Sequence, residues 1–333
     1  MKTRVADHLS EHERLSHLQV VSYVLIAETI LPVNRTNARP KSSECAKFLA
    51  DSSKTLKTQM TSSSRQLPLT EIPLVDAHAH VYTLDMPMLD SAWHKPPADA
   101  PIEAYLKALD QAGVHFGVLA AASMYGDYND YMLEALKASK RLRATVIVDP
   151  DIDPSALRAL DQAGVVGVRL QFRNVDTPPD ISSYSYQRLF RRIADIGWHV
   201  QLHDEGWRLQ DYIKHLVDAG PRLVIDHMGR PPAPDGLEAE GFREVLRAVD
   251  KGNAWVKLSG GFRLGDPEFV GQVANTLLKH AGTERLLWGS DWPFAAFEDS
   301  MTYEGAIELY RRFVPDAETR RAIDQTALRF YFS

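Results

Sequence analysis

The chain of 333 residues has one cysteine, Cys45, so it has neither an intramolecular disulfide framework nor a cage of thiolates for a metal. That usage fits a reducing, cytoplasmic compartment. Long apolar runs are also scarce. The run Val20-Val21-Ser22-Tyr23-Val24-Leu25-Ile26-Ala27 is broken by Glu28, short of the roughly 20 apolar residues of a membrane span. Acidic residues crowd the stretch before it and no small-residue cleavage site follows, so it does not read as a secretory leader. Positive charge is not concentrated anywhere. The net charge is -6 with acids and bases interspersed, which leaves no basic stripe for nucleic acid and no polybasic patch for a membrane. No Gly-x-Gly-x-x-Gly turn follows an apolar run, which argues against a dinucleotide-binding sheet.

What is present is globular: 44% hydrophobic and 25% charged residues, enough for one large domain. The chain divides in two. Residues 1–70 form an N-terminal extension. Within it residues 34–66 are rich in Ser, Thr, Lys and Asn with little periodicity, the composition of a linker or a disordered segment. Met60, followed by Thr-Ser-Ser-Ser, is a candidate true start, which would make the upstream part a mis-assigned extension.

From 71 to 333 a unit repeats: a short β-branched run, a turn, then an amphipathic stretch. Strands are predicted at 74–80, 115–122, 143–148, 165–172, 199–203, 222–227, 254–259 and 285–290. Helices are predicted near 101–112, 129–140, 154–163, 185–197, 208–219, 241–250, 267–281, 302–313 and 316–329. Asp153-Pro154 and Asp266-Pro267 place Asp at an N-cap and Pro at the first helical position. Gly113, Gly164, Gly197 and Gly220 follow helical runs as C-terminal caps. Near-continuous apolar strands such as Phe116-Gly117-Val118-Leu119-Ala120-Ala121 suit a parallel sheet covered on both faces. The count predicts an α/β fold, a (β/α)8 TIM barrel, with a doubly wound open sheet as the alternative.

In such a barrel the active site lies at the carboxyl ends of the strands. Strand one, Leu74-Val75-Asp76-Ala77-His78-Ala79-His80, delivers two imidazoles to one side, since alternate side chains point the same way. Such a pair can hold a divalent metal or polarise a carbonyl, and an isolated pair is as often simply two surface histidines. The other strand ends bring Ser123, Arg169 with Gln171, His203, Asp226 with His227 and Arg230, Lys257 with Ser259, and Asp291. Singly, each reads as a loop anchor or a surface charge. Assembled on one rim they would be costly without a use, because like charges and desolvation raise the energy.

Val-Asp-Ala-His-Ala-His at 75–80, Gln201-Leu202-His203, Asp226-His227-Met228-Gly229-Arg230-Pro231 and Trp288-Gly289-Ser290-Asp291-Trp292-Pro293 resemble the amidohydrolase superfamily. Within it they look most like the branch containing 2-pyrone-4,6-dicarboxylate lactonase and sugar lactonases. The resemblance begins near residue 72 and implies a distorted (β/α)8 barrel. It implies Asp291 as the base that activates water, and His78, His80 and His203 around the scissile carbonyl. It implies Arg169, Arg230, Ser123 and His227 as substrate-binding residues. Across the superfamily the positions of His78, His80, His203 and Asp291 bind a divalent metal, and a carboxylated Lys on strand four often bridges two. Strand four here, Val165-Val166-Gly167-Val168-Arg169-Leu170-Gln171, has no Lys. The expectation is therefore no required cofactor, or one zinc. A further arginine of the dicarboxylate lactonase falls here at Val175, with Arg173 nearby, so a clamp for two carboxylates is incomplete by spacing. The implied partner is a small carboxylated or sugar-derived lactone. The alternatives are a zinc-dependent non-oxidative decarboxylase of the same superfamily, for which His227 speaks, and a barrel kept only for binding.

Overall fold

The computed structural model describes residues 72–333, and the expectations for Cys45, Met60, the early apolar run and the linker lie outside the described residues. Eight strands form: β1 (Val75–Ala79), β2 (Phe116–Ala120), β3 (Leu142–Val146), β4 (Val165–Gln171), β5 (His199–His203), β6 (Arg222–Ile225), β7 (Ala254–Leu258) and β8 (Leu286–Trp288). All paired neighbours are parallel and follow chain order from β1 to β8. A doubly wound sheet would reverse direction at a switch point, so that alternative is excluded.

Nine α-helices lie among the described residues: α1 (Ile102–Ala112), α2 (Asp130–Ala138), α3 (Pro154–Ala163), α4 (Tyr184–Asp195), α5 (Leu209–Ala219), α6 (Glu240–Asp250), α7 (Pro267–Ala281), α8 (Tyr303–Phe313) and α9 (Ala317–Tyr331). Their ends follow local chemistry. The Asp153 carboxylate accepts from Ser155 N–H at 2.6 Å, and that of Asp266 from Glu268 and Phe269 N–H, with Pro opening each helix. No helix among the described residues is long and apolar enough to cross a membrane.

Four strands, β2, β3, β6 and β8, end two residues earlier than their sequence suggests. β6 stops at Ile225 and β8 at Trp288, because His227, Met228, Arg230 and Asp291 take positive φ values of 46–66° that a strand does not accommodate. Asp226, His227 and Asp291 thus sit on turns just past the strands.

The barrel closes without a β1–β8 ladder. Its seam is a single bridge between Ala79 and Trp292, flanked by Asp291 N–H to His78 O and His80 N–H to Trp292 O, both 2.8 Å. Gly289 permits the approach: a Cβ there would stand 2.5 Å from that of His78. A register shift between Asp76 and Ala79 turns Asp76 toward the helices, where it accepts from Tyr105 and Tyr303, while His78 faces the interior.

The interior is layered as in other eight-stranded barrels, one side chain from each alternate strand. His78, Thr145, Gln201 and Lys257, from β1, β3, β5 and β7, make a fully buried polar layer. Below it Val118, Val224 and Leu287 join Phe330 and Tyr331 of α9 in an apolar floor.

Candidate active site

Above the polar layer, side chains from β1, β5, β6 and β8 converge. His78 and His80 meet Nε2 to Nε2 at 3.2 Å, and Asp291 Oδ1 lies 3.8 and 3.7 Å from the same two nitrogens. His227 Nδ1 stands 3.8 Å from the other oxygen, Oδ2, and 3.0 Å from Ser259 Oγ. The His203 ring packs edge-on against His227 with centroids 4.6 Å apart. All five are buried.

The electrostatics keep the roles apart. Burial alone would raise the carboxyls of Asp291 and Asp226, but their neighbours outweigh it and hold both well below the usual range. For Asp291 the chief neighbour is Arg263, whose Nε donates to Oδ2 at 2.5 Å, then His227. For Asp226 the neighbours are His78, Lys257 and Arg169. Burial lowers His78 and His203 well below the ordinary imidazole value and His227 to about 3. Near neutral pH the centre thus holds two carboxylates and these three uncharged imidazoles.

The tautomers follow from the partners. His80 Nδ1 lies 2.7 Å from the Ala120 carbonyl, which can only accept, so Nδ1 carries a hydrogen and Nε2 is the nitrogen left facing the centre. His203 Nδ1 faces Arg169 Nη2 at 3.4 Å, and a guanidinium can only donate. Neutral His203 therefore carries its hydrogen on Nε2, a buried atom without a hydrogen-bond partner.

These donors bear on a metal. A nitrogen of His80, a nitrogen of His78 and an oxygen of Asp291 lie within 4.8 Å of one another, a set that fits one divalent ion. His78, Asp226 and His227 form a second such group. His203 belongs to neither, so the four-residue ligand set expected from the sequence divides into three and one.

The remaining expected residues lie as follows. Arg169 points inward, donating to the Ala121 carbonyl at 2.7 Å and pairing with Asp226 at 3.3 Å. Ser123 opens a turn after β2, and its Oγ accepts from Trp93 Nε1 at 3.2 Å. Arg230 stands at the mouth with its Nε 3.9 Å from Glu205. The list of strand ends held Lys257 without a role, and it missed Gln201, Arg263 and Glu205. Lys257 sits below the rim, its Nζ 3.2 Å from His78 Nδ1 and 3.5 Å from Asp226. Gln201 donates to Asp226 at 2.9 Å. Arg263 comes from the turn after β7 and Glu205 from the loop after β5. A lysine inside the apolar run Ala254-Trp255-Val256-Lys257-Leu258 was the one available signal.

Together the parallel barrel and the histidine–aspartate centre at the carboxyl ends of its strands define the architecture of a barrel enzyme. The amidohydrolase family profile matches residues 75–332, and the chain belongs to that family. It is 31% identical over 269 residues to a 2-pyrone-4,6-dicarboxylate hydrolase of Comamonas testosteroni, covering 75% of this chain and 86% of that one. It is 28% identical over 258 residues to a 4-sulfomuconolactone hydrolase of Hydrogenophaga intermedia, covering 74% and 84%. Among solved structures it resembles a probable 2-pyrone-4,6-dicarboxylic acid hydrolase of Acinetobacter baumannii with citric acid bound, at a TM-score of 0.74 and 28% identity over 78% of this chain and 99% of that one.

Proposed function

We propose that the chain is a hydrolase that opens a carboxylated lactone with an Asp-activated water. The observation that carries this is the meeting, across the β1–β8 seam, of ionised Asp291 with the paired imidazoles of His78 and His80. Relatives named for hydrolysis of a sulfonated lactone and of a pyrone dicarboxylate support it.

In this reading Asp291 takes a proton from water as the oxygen attacks the lactone carbonyl. His78, His80 and His203 surround the carbonyl oxygen, and the unpartnered Nε2–H of His203 donates to the developing oxyanion. One such donor is worth about 3 kcal/mol. When the tetrahedral centre collapses, the ring C–O bond breaks and Asp291 returns its proton to the departing oxygen. Arg230, Arg169, Ser123 and His227 orient the substrate, Arg230 from the rim and Arg169 by holding His203 and Asp226 in place. A divalent ion held by His78, His80 and Asp291 would add Lewis-acid polarisation of the carbonyl. We assign catalysis to residues 71–333, with residues 1–70 as an extension outside that unit, in a cytoplasmic protein.

The test is a panel of lactones and aromatic carboxylic acids, assayed with and without a chelator. Ring opening of carboxylated lactones is expected. Release of carbon dioxide from the acids with no lactone opened would replace this reading with the decarboxylase one.

A further inference from the structure

The loop after β7 presses against the centre, and it opens with two glycines. Gly260 sits at φ 59°, and a Cβ there would stand 2.7 Å from His227 Nδ1 and 3.3 Å from Asp291 Oδ2. A Cβ on Gly261 would stand 2.5 Å from the Phe313 ring. Without those two Cβ atoms the short turn Gly261–Arg263 fits close beside the carboxylate, and it ends on Arg263.

Arg263 bridges to the β8 loop at two points. Its Nε donates to Asp291 Oδ2 at 2.5 Å and its Nη1 to the Ala295 carbonyl at 2.9 Å. Its guanidinium carbon lies 5.0 Å from the centre of the Phe262 ring and 5.4 Å from that of Phe297, which help to hold the side chain in place. The bridged segment needs such a bracket. Asp291, Phe294 and Ala296 take φ values of 66°, 70° and 66°. That left-handed conformation costs a non-glycine residue energy and persists where neighbours impose it.

The two oxygens of Asp291 are treated differently. Among the described residues, Arg263 is the one side chain at hydrogen-bond length from this carboxylate, and it takes Oδ2. His227 stands 3.8 Å from the same oxygen, while His78 and His80 stand 3.8 and 3.7 Å from Oδ1. One oxygen is tied and the other faces the imidazole pair.

We propose that Arg263 is a positioning residue for the hydrolysis, which ties Oδ2 of Asp291 and so presents Oδ1 alone to the attacking water. This rests on the lactone-hydrolase reading. The water proton passes to Oδ1 as the water oxygen bonds to the lactone carbon. It stays on that oxygen, because the Nε–H of Arg263 already occupies Oδ2, and from there it goes to the departing ring oxygen as the C–O bond breaks. Arg263 exchanges no proton with a reacting atom, so its loss acts on turnover more than on binding. Lysine would keep a charge beside Oδ2, but one ammonium has no planar fork to span Asp291 and Ala295.

The experiment uses the carboxylated lactone that the unmodified protein opens fastest in the panel above, and reads kcat and KM per folded molecule for Arg263→Ala and Arg263→Lys. Arg263→Ala should lower kcat about a hundredfold and Arg263→Lys about tenfold, the scale of a misplaced reacting group. KM should stay within about threefold in both. Guanidinium chloride at a non-denaturing concentration should restore about tenfold of the lost kcat in Arg263→Ala and nothing in the unmodified protein, since it refills the vacated fork. Urea, neutral and of similar shape, should restore nothing. If Arg263→Ala does not fold, Arg263→Lys decides, and a lower kcat at a steady KM upholds the proposal. A KM that rises as much as kcat falls, or a loss in Arg263→Ala that guanidinium leaves unrepaired, overturns it. Lactone opening by the unmodified protein with kcat intact in the variants overturns this proposal alone. No lactone opened by the unmodified protein overturns the parent reading and this one with it.

Discussion

His199 at the floor of the barrel is as fully buried as His78 near its mouth, and both are held uncharged by burial. Their company differs. His199 packs against the rings of Phe330 and Tyr331, with centroids 5.1 and 5.5 Å away, and neither ring nitrogen has a well-formed hydrogen bond, although the Val166 backbone interacts weakly. His78 is surrounded by Asp226, Lys257, His80 and Asp291, all within 3.8 Å. A buried histidine is thus not a functional sign by itself. The sign is a ring of groups that can exchange protons or hold charge around it, here confined to one end of the barrel.

The contrast can be broken at the mouth first. Asp291→Asn should cut lactone turnover between about a hundredfold and ten-thousandfold, read as kcat on the folded fraction. It also leaves Arg263 without its 2.5 Å partner, so some loss of melting temperature should accompany it. Activity near that of the unmodified protein would remove Asp291 from the role of base.

One layer down, Lys257→Met takes a cation from Asp226 without touching the rim. Loss of one partner from a buried ionic network costs about 3 to 5 kcal/mol, measurable by denaturant titration. At the floor, His199→Phe should change stability by less than about 1 kcal/mol, since it removes no good hydrogen bond and keeps the aromatic packing. A larger loss there would mean that the two ends are more alike than their partners indicate.

The smallest effect concerns pH. Burial, then Lys257 and Arg222, holds His199 well below the ordinary value of 6.5. Below that pH the unfolded chain binds a proton that the native state refuses. The stabilisation is therefore complete above 6.5 and is lost as pH falls, by at most about 1.4 kcal/mol per unit for one group. His199→Phe should flatten the decline between pH 6.5 and 5, with chelator present, without abolishing it, because His203 and His227 contribute in the same direction. An unchanged slope would show that His199 is not held neutral.

Much of this was legible in the sequence, and the reasons are local. All eight strands and nine helices lie within a few residues of their periodic patterns, because Asp–Pro starts and glycine stops act over one turn. His78, His80, His203, Asp226, His227 and Asp291 meet because strand ends in a parallel barrel share a rim. Lys257 stood among the strand ends, but neither it nor Gln201 was legible as a partner of Asp226, since such a list does not tell the rim from the layer below it. Arg263 and Glu205 depend on how loops fold toward one another, which spacing along the chain does not encode.

The seam between β1 and β8 has a consequence for the newborn protein. His78 leaves the ribosome early and Asp291 more than two hundred residues later, in the segment whose backbone locks the ring shut. A chain arrested before its last strand docks has the imidazoles and Asp226 but not Asp291, the carboxylate that faces both His78 and His80. Completion of the cylinder and acquisition of reactivity are then one event, and no half-built intermediate is in a position to attack a passing ester.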